Sequence, residues 1–327
     1  MKPLNKIKKS TWDCLQNVLI DSVIAGGTAS MKYYRKRNII ENNSGSVSKN
    51  PSTIADLHAT LAMIYSLDHS LTPIISSTFD CNYSFLAEET HNVNWFQKQL
   101  PVNIFQKIET ATQFFSNRKG IRVIIDGIDG TGNFLRGIPL FCSAAALLID
   151  DHPRVSAIYD PVHHVVYSAI FLENAMSQAW EWHISSNHRI DLISLNQTLE
   201  KKPLSHEAIG IHFTRSHPDK LRELIQPNNA QSAQQQSVLE QLSHASAGIY
   251  TFNSSFIAMI YVAQGALGGY INNTTHLWDV AAGEVLVRAC GGSVTDFNKK
   301  SISYDMPSRV SIIAAQKQIY ENLYRCL

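Results

Sequence analysis

The segment Asp126-Gly127-Ile128-Asp129-Gly130-Thr131-Gly132-Asn133-Phe134 carries the sharpest chemical signal in the chain. The apolar run IRVIID (121–126) reads as a strand that delivers two carboxylates, three positions apart, into a glycine-rich turn. Two acids aimed at one spot repel unless a cation lies between them, and all-oxygen donors suit a hard ion such as Mg²⁺. Gly130 and Gly132 leave room for a ligand against the backbone, and a helix starting near Thr131 would turn free N–H groups toward the same spot, which favours phosphate. Plainer readings compete with this one. An isolated Asp-Gly pair is a tight turn. An EF-hand loop fails because the apolar Ile125 would take its first ligand position. A dinucleotide loop is weak, since GTGNFL lacks the third glycine and no acid is placed for a ribose.

Three further segments have both an ordinary and a chemical reading. In Trp278-Asp279-Val280-Ala281-Ala282-Gly283-Glu284, Asp279 is placed as a helix N-cap, with Gly291 as the stop, yet an N-cap acid can also face a cation. Glu88-Glu89, after the apolar Phe85-Leu86, reads on its own as a solvated pair, and Thr53-Ile54-Ala55-Asp56 as another helix start. His163-His164, like the other histidines, lacks the spacing of a metal site and reads as turn or strand.

In this order, Glu88, then Asp126-x-x-Asp129-Gly-Thr, then Trp278-Asp279-x-Ala-Ala-Gly, the chain resembles the inositol monophosphatase superfamily. These are Mg²⁺-dependent, lithium-sensitive phosphatases, a group that includes fructose-1,6-bisphosphatase and the 3′(2′),5′-bisphosphate nucleotidases. The resemblance runs from the opening helix to VSIIAA near the end. It implies two or three Mg²⁺ ions held by Glu88, Asp126, Asp129, Asp279 and the backbone carbonyl of Ile128. It implies that Glu88 and Thr131 place the attacking water, with Asp56 behind them, and that Gly130 and Thr131 offer N–H groups to the phosphate. Asp279, Ser254 and Asn272 fall on its substrate side. The implied function is hydrolysis of a small phosphate ester, inositol-phosphate-like or sugar phosphate, by metal-activated water. The alternatives are a 3′(2′),5′-bisphosphate nucleotidase and a catalytically weak regulatory or binding homologue.

Departures bear on the substrate. Asn272 stands where inositol monophosphatases carry a glutamate, Gly268 where many members carry aspartate, and Gly127 where most carry proline. Arg215-Ser216-His217 and Ser254-Ser255 lean toward the nucleotidases, whereas Phe256 and Ile257 leave out the lysine that often follows their serine pair.

The elements that must position these residues are legible in outline. Leu15, Val18, Leu19, Val23 and Ile24 predict a helix over 11–35, and Leu57, Leu61 and Ile64 another from Thr53. Strands are predicted at 121–126, 141–149, 154–160, 164–172 and 208–213, and at GGYIN, SVTDF and VSIIAA, with helices near 254–264 and 279–290 and at the end. Residues 92–120 read as partly helical, 173–205 as polar and irregular, and Pro218-DKLRELI as a helix start. The alternation predicts an α+β or α/β chain of sheets covered by helices, and the resemblance makes it a layered αβαβα sandwich of the sugar-phosphatase type. With 327 residues and 44% hydrophobic content, two closely packed subdomains are expected, 1–185 with most metal ligands and 186–327 with Asp279 and the recognition side. The net charge of +1 argues against a nucleic-acid polymer as partner, and no apolar run is long enough for a membrane span. Five scattered cysteines without a CxxC pair point to reduced thiols in a cytoplasm. A homodimer is implied by the resemblance alone.

Overall fold

The computed structural model describes residues 4, 7–36, 53–79, 81–91, 93–108, 120–173, 177–200, 202–213, 237–305 and 309–327. The loop expected after residue 36, Arg215-Ser216-His217, the helix expected after Pro218 and most of the Gln-rich stretch lie outside the described residues.

Helix α1 (Lys9–Met31) buries Trp12, Leu15, Val18, Leu19 and Val23 along one stripe. Helix α2 (Ile54–Thr78) starts at a capping box, in which Thr53 accepts from the backbone N–H groups of Ala55 and Asp56 while Asp56 accepts from the Thr53 N–H. Both helices pack on one face of a seven-stranded sheet that runs in chain order: β1 (Tyr83–Ala87), β2 (Ile121–Asp129), β3 (Cys142–Ile149), β4 (His152–Asp160), β5 (Val165–Ile170), β6 (Gln178–His183) and β7 (His188–Asp191). Among the described strands of this sheet, β1–β2 is the one parallel pair, and two short helices, α3 (Val93–Gln99) and α4 (Val102–Phe105), lie in its crossover. β6 and β7 fall in the segment that reads as irregular. Trp180 and Trp182 pack against the apolar layer under α1 and α2, which makes β6 a strand despite its polar neighbours.

The central strands are buried on both faces, so they read as unbroken apolar runs. In β3, Ala145, Leu147 and Ile149 face α1 and α2, while Cys142, Ala144, Ala146 and Leu148 face the opposite layer. That layer is two helices, α8 (Ser255–Gln264) and α9 (Ala281–Ala289), which share one apolar core with both sheets. The second sheet has five strands in the order β11 (Ser293–Thr295), β12 (Val310–Ala315), β10 (Gly269–Thr275), β8 (Ala208–His212) and β9 (Gly248–Tyr250). Its outer face carries α7 (Val238–Ala245) and α10 (Tyr320–Tyr324), packed on Ile209, Ile211, Ile271 and Ile313. The result is the expected αβαβα layering. Of two further short helices, α6 (Leu192–Thr198) packs on the central core through Leu192, and α5 (Thr131–Arg136) packs Phe134 against Ala55 and Ala59 of α2. The ends of β1, β2 and β10 and the starts of α5, α8 and α9 converge on one side, and the polar residues collect there.

Candidate active site

The Asp126–Asp129 turn is built by a β-bulge. Asp126 pairs with Ala144 and Asp129 with Cys142, so β2 advances three residues while β3 advances two. In a regular strand, side chains three apart face opposite sides; the extra residue puts both carboxylates on the side of α8 and α9. Gly127 sits in the bulge, hemmed in by α2. A Cβ there would come within 2.7 Å of Thr60 Oγ1 and 2.9 Å of the Asp56 carbonyl oxygen. Its carbonyl accepts the Ser143 hydroxyl at 2.6 Å.

Asp126 is 2% exposed, and neither of its carboxylate oxygens has a hydrogen-bond partner among the described residues. A buried carboxylate left this way is costly unless a cation takes it up. Glu88, at the end of β1, and Asp279, just before α9, bring one carboxylate oxygen each to within 4.8 Å of the others. Burial, then the charge of Glu88, pushes Asp126 well above the usual carboxylate range, and burial, then the charge of Asp279, does the same to Glu88. Burial also raises Asp279, against the Thr275 hydroxyl at 2.6 Å and the His276 N–H at 3.1 Å, both of which favour its ionised form. Mutual repulsion of this kind is what a divalent ion relieves, and the all-oxygen donors fit Mg²⁺.

Asp129 is arranged differently. Its Oδ2 accepts the Ser254 hydroxyl and the Phe256 N–H (2.9 Å), and its Oδ1 accepts the Ser255 N–H (3.3 Å). It is thus the anion seated at the start of α8. Burial, then the charge of Asp279, outweighs these bonds and pushes its pKa up to about 7. Thr131 donates its hydroxyl to Asp56 Oδ1 and to the Ile128 carbonyl, both at 3.0 Å. Asp56 takes Thr53 on its other oxygen, and burial, then the charge of Glu89, pushes it up to about 7.

A cleft of about 650 Å³ joins these residues. Glu88, Asp126, Ile128, Asp129, Gly130, Thr131, Ser254, Asn272 and Asp279 all line it, whereas Asp56 lies behind Thr131. Asn272 donates to the Tyr270 hydroxyl (3.2 Å) and accepts the Thr274 N–H (3.1 Å), so much of its amide is used within β10. Gly268 does not line the cleft, and a Cβ there would run into Ile319 and Glu207. Arg136, His212, His276 and Arg309 also line the cleft and had no signal in the sequence. Arg309 reaches it because Thr275 pairs with Val310 across β10 and β12, a register that only the folded sheet supplies.

A profile of the inositol monophosphatase family matches residues 11–327. The chain belongs to that family. Two curated relatives of this inositol monophosphatase family member are the Nus factor SuhB of Pasteurella multocida, 27% identical over 178 residues (54% of this chain, 57% of that protein), and the inositol-1-monophosphatase of Synechocystis, 29% identical over 203 residues (62% and 61%). The chain thus spans less than two thirds of the length of either relative. The crystal structure of the extragenic suppressor protein SuhB from Bartonella henselae superposes with a TM-score of 0.68 at 20% identity, covering 95% of this chain and 97% of that one, which establishes the shared fold. Among the described residues, no helix of the family member is long and apolar enough to cross a membrane.

Proposed function

We propose that the chain is a Mg²⁺-dependent phosphomonoesterase acting on a small phosphate ester. The observation that carries this reading is Asp126, a buried carboxylate with no hydrogen-bond partner among the described residues, within one ion's reach of Glu88 and Asp279. Those three acids would hold Mg²⁺, with Asp129 and the Ile128 carbonyl beside them. Bound there, the metal supplies positive charge against a phosphate dianion and lowers the pKa of water. The chain's own groups do the rest. Thr131 shares its one hydroxyl proton between Asp56 and the Ile128 carbonyl, which leaves the hydroxyl's lone pairs to accept a hydrogen bond from the attacking water. Gly130 and Thr131, at the start of α5, present backbone N–H groups on the cleft wall for the phosphate oxygens.

The test is phosphate release from inositol 1-phosphate, fructose 1,6-bisphosphate and adenosine 3′,5′-bisphosphate, with Mg²⁺ and with EDTA. Asp126→Asn should lose turnover by at least about 10²-fold, the scale of other charge-stabilising groups, while keeping the wild-type circular dichroism spectrum. Wild-type rates from that variant would overturn the reading.

A second reading, hydrolysis of a bisphosphorylated substrate such as a 3′(2′),5′-bisphosphate nucleotide, is favoured by the cleft's charge. Among the described residues, the carboxylates that line it belong to the proposed metal set, and the remaining wall carries the guanidinium groups of Arg136 and Arg309. A second phosphate finds opposite charge there, which a neutral polyol does not need. The same substrate panel separates the two readings.

A further inference from the structure

Ser254 is the side chain whose place in the structure departs most from its expected role. It falls on the substrate side by resemblance, but its hydroxyl donates to Asp129 Oδ2 and also accepts the Ile257 N–H at 3.2 Å as the N-cap of α8. Its oxygen is therefore engaged on both sides, and the residue is only 3% exposed. With the Phe256 N–H and the Cys142 thiol (3.8 Å), Ser254 crowds Oδ2, while Oδ1 accepts the Ser255 N–H. Each carboxylate oxygen offers about two lone-pair directions, so Oδ1 keeps about one for a cation.

The loop that carries Ser254 is itself tied down. Asn133, 3% exposed and on α5, places both protons of its Nδ2 on carbonyl oxygens, those of Leu140 and Phe252, at 2.7 Å each. One side chain four residues past Asp129 thus bridges the segment leading into β3 and the loop leading into α8. The packing leaves little slack, since a Cβ on Gly130 would lie 2.9 Å from the Leu140 carbonyl oxygen and 3.2 Å from Ser254 Cβ.

We propose that Asn133 and Ser254 are positioning residues that act together to aim the Asp129 carboxylate at a cation, and that Ser254 serves the metal rather than the substrate. The inference rests on the metal-dependent reading above. Asn133 holds the 252–254 loop against α5, the loop holds Ser254, and Ser254 with the first N–H groups of α8 sets the rotation of Asp129. Removing either link lets the carboxylate turn away. Groups that orient a metal ligand from behind in this way change affinity by roughly 10–100-fold when lost.

The experiment is Mg²⁺ titration by calorimetry, backed by the shift in unfolding temperature with Mg²⁺, on wild type, Ser254→Ala, Ser254→Thr and Asn133→Ala. Ser254→Ala and Asn133→Ala should weaken Mg²⁺ binding about tenfold or more, while Ser254→Thr, which keeps the hydroxyl, should stay within about twofold of wild type. At saturating Mg²⁺, Ser254→Ala should leave KM for a cleaved phosphate ester unchanged. Wild-type Mg²⁺ affinity in Ser254→Ala together with a raised KM would overturn the proposal and return Ser254 to the substrate. Should Asn133→Ala not fold, the Ser254 pair decides alone. A wild-type chain that binds no Mg²⁺ would overturn the metal-dependent reading along with this one, whereas a binding wild type with an indifferent Ser254→Ala overturns this one only.

Discussion

Thr131 is where a single hydroxyl has two jobs open to it, placing water or holding metal, and a pair of substitutions separates them. Its contacts with Asp56 Oδ1 and the Ile128 carbonyl fix the direction of its proton, leaving the oxygen's lone pairs toward the cleft. If the hydroxyl orients water, Thr131→Val, nearly the same shape without the oxygen, should lower kcat by about 10²–10³-fold at saturating Mg²⁺. Thr131→Ser should keep most of the rate, and Mg²⁺ affinity should change little in either variant. A Thr131→Val enzyme with normal kcat but weakened Mg²⁺ binding would move the residue from water placement to metal holding. Asp56 is legible in the sequence only as part of a helix start, and it is one: the capping box with Thr53 forms. The same carboxylate serves both purposes because one oxygen caps α2 while the other reaches Thr131.

At the scale of elements, the approach of α2 to the β2 bulge is set by Gly127. Proline, the residue most family members carry there, would turn the turn's looseness into rigidity, so the glycine reads as a loss of preorganisation. The packing gives a different reason for it: α2 lies so near that any Cβ would meet Thr60 and the Asp56 carbonyl oxygen. Gly127→Ala should therefore destabilise the fold by about 1–3 kcal/mol through overpacking, measured by denaturant unfolding. It should also slow turnover, because the helix that must retreat carries Asp56. Unchanged stability would mean that α2 has slack to give. This contact also shows what a sequence makes legible. Strands such as β3 and helices such as α1 follow from apolar runs and helical spacing, and the four acids that line the cleft follow from motif order. The bulge does not, because one extra residue in a strand leaves no compositional trace. Nor does the pairing of Thr275 with Val310 that brings Arg309 to the cleft, or the 119-residue gap that Asn133 closes to reach Phe252. These are long-range contacts, invisible to local periodicity. β1 and β6 escaped for another reason: they are short, and their neighbours are polar.

For the whole molecule, the site is a fault line that a metal would close. Its acids come from the ends of β1 and β2 and from the starts of α2 and α9, so their repulsion works against the layers that hold them together. Asp56 and Asp129 are pushed up to about 7 in the fold by burial, from about 4 in an unfolded chain. The folded, metal-free protein therefore retains protons that the unfolded chain has already released between about pH 4 and 7. With folded pKa values raised, the stability linked to these groups is fully present below about pH 4 and is lost as pH rises through about 7. In EDTA the unfolding temperature should accordingly fall between pH 5 and pH 8. Mg²⁺ at the cleft would displace the proton of Asp129 but not that of Asp56, which lies behind Thr131, and would bind the ionised carboxylates more tightly as pH rises. The gain in unfolding temperature on adding Mg²⁺ should then be larger at pH 8 than at pH 5, with saturation at about a hundred times Kd adding about 2.7 kcal/mol. An equal gain at both values would mean that the carboxylates are not the groups the ion engages, and Ca²⁺ or Mn²⁺ titrations would show the same indifference. A gain that grows with pH and disappears in Asp126→Asn would tie the stability of all five layers to one buried carboxylate.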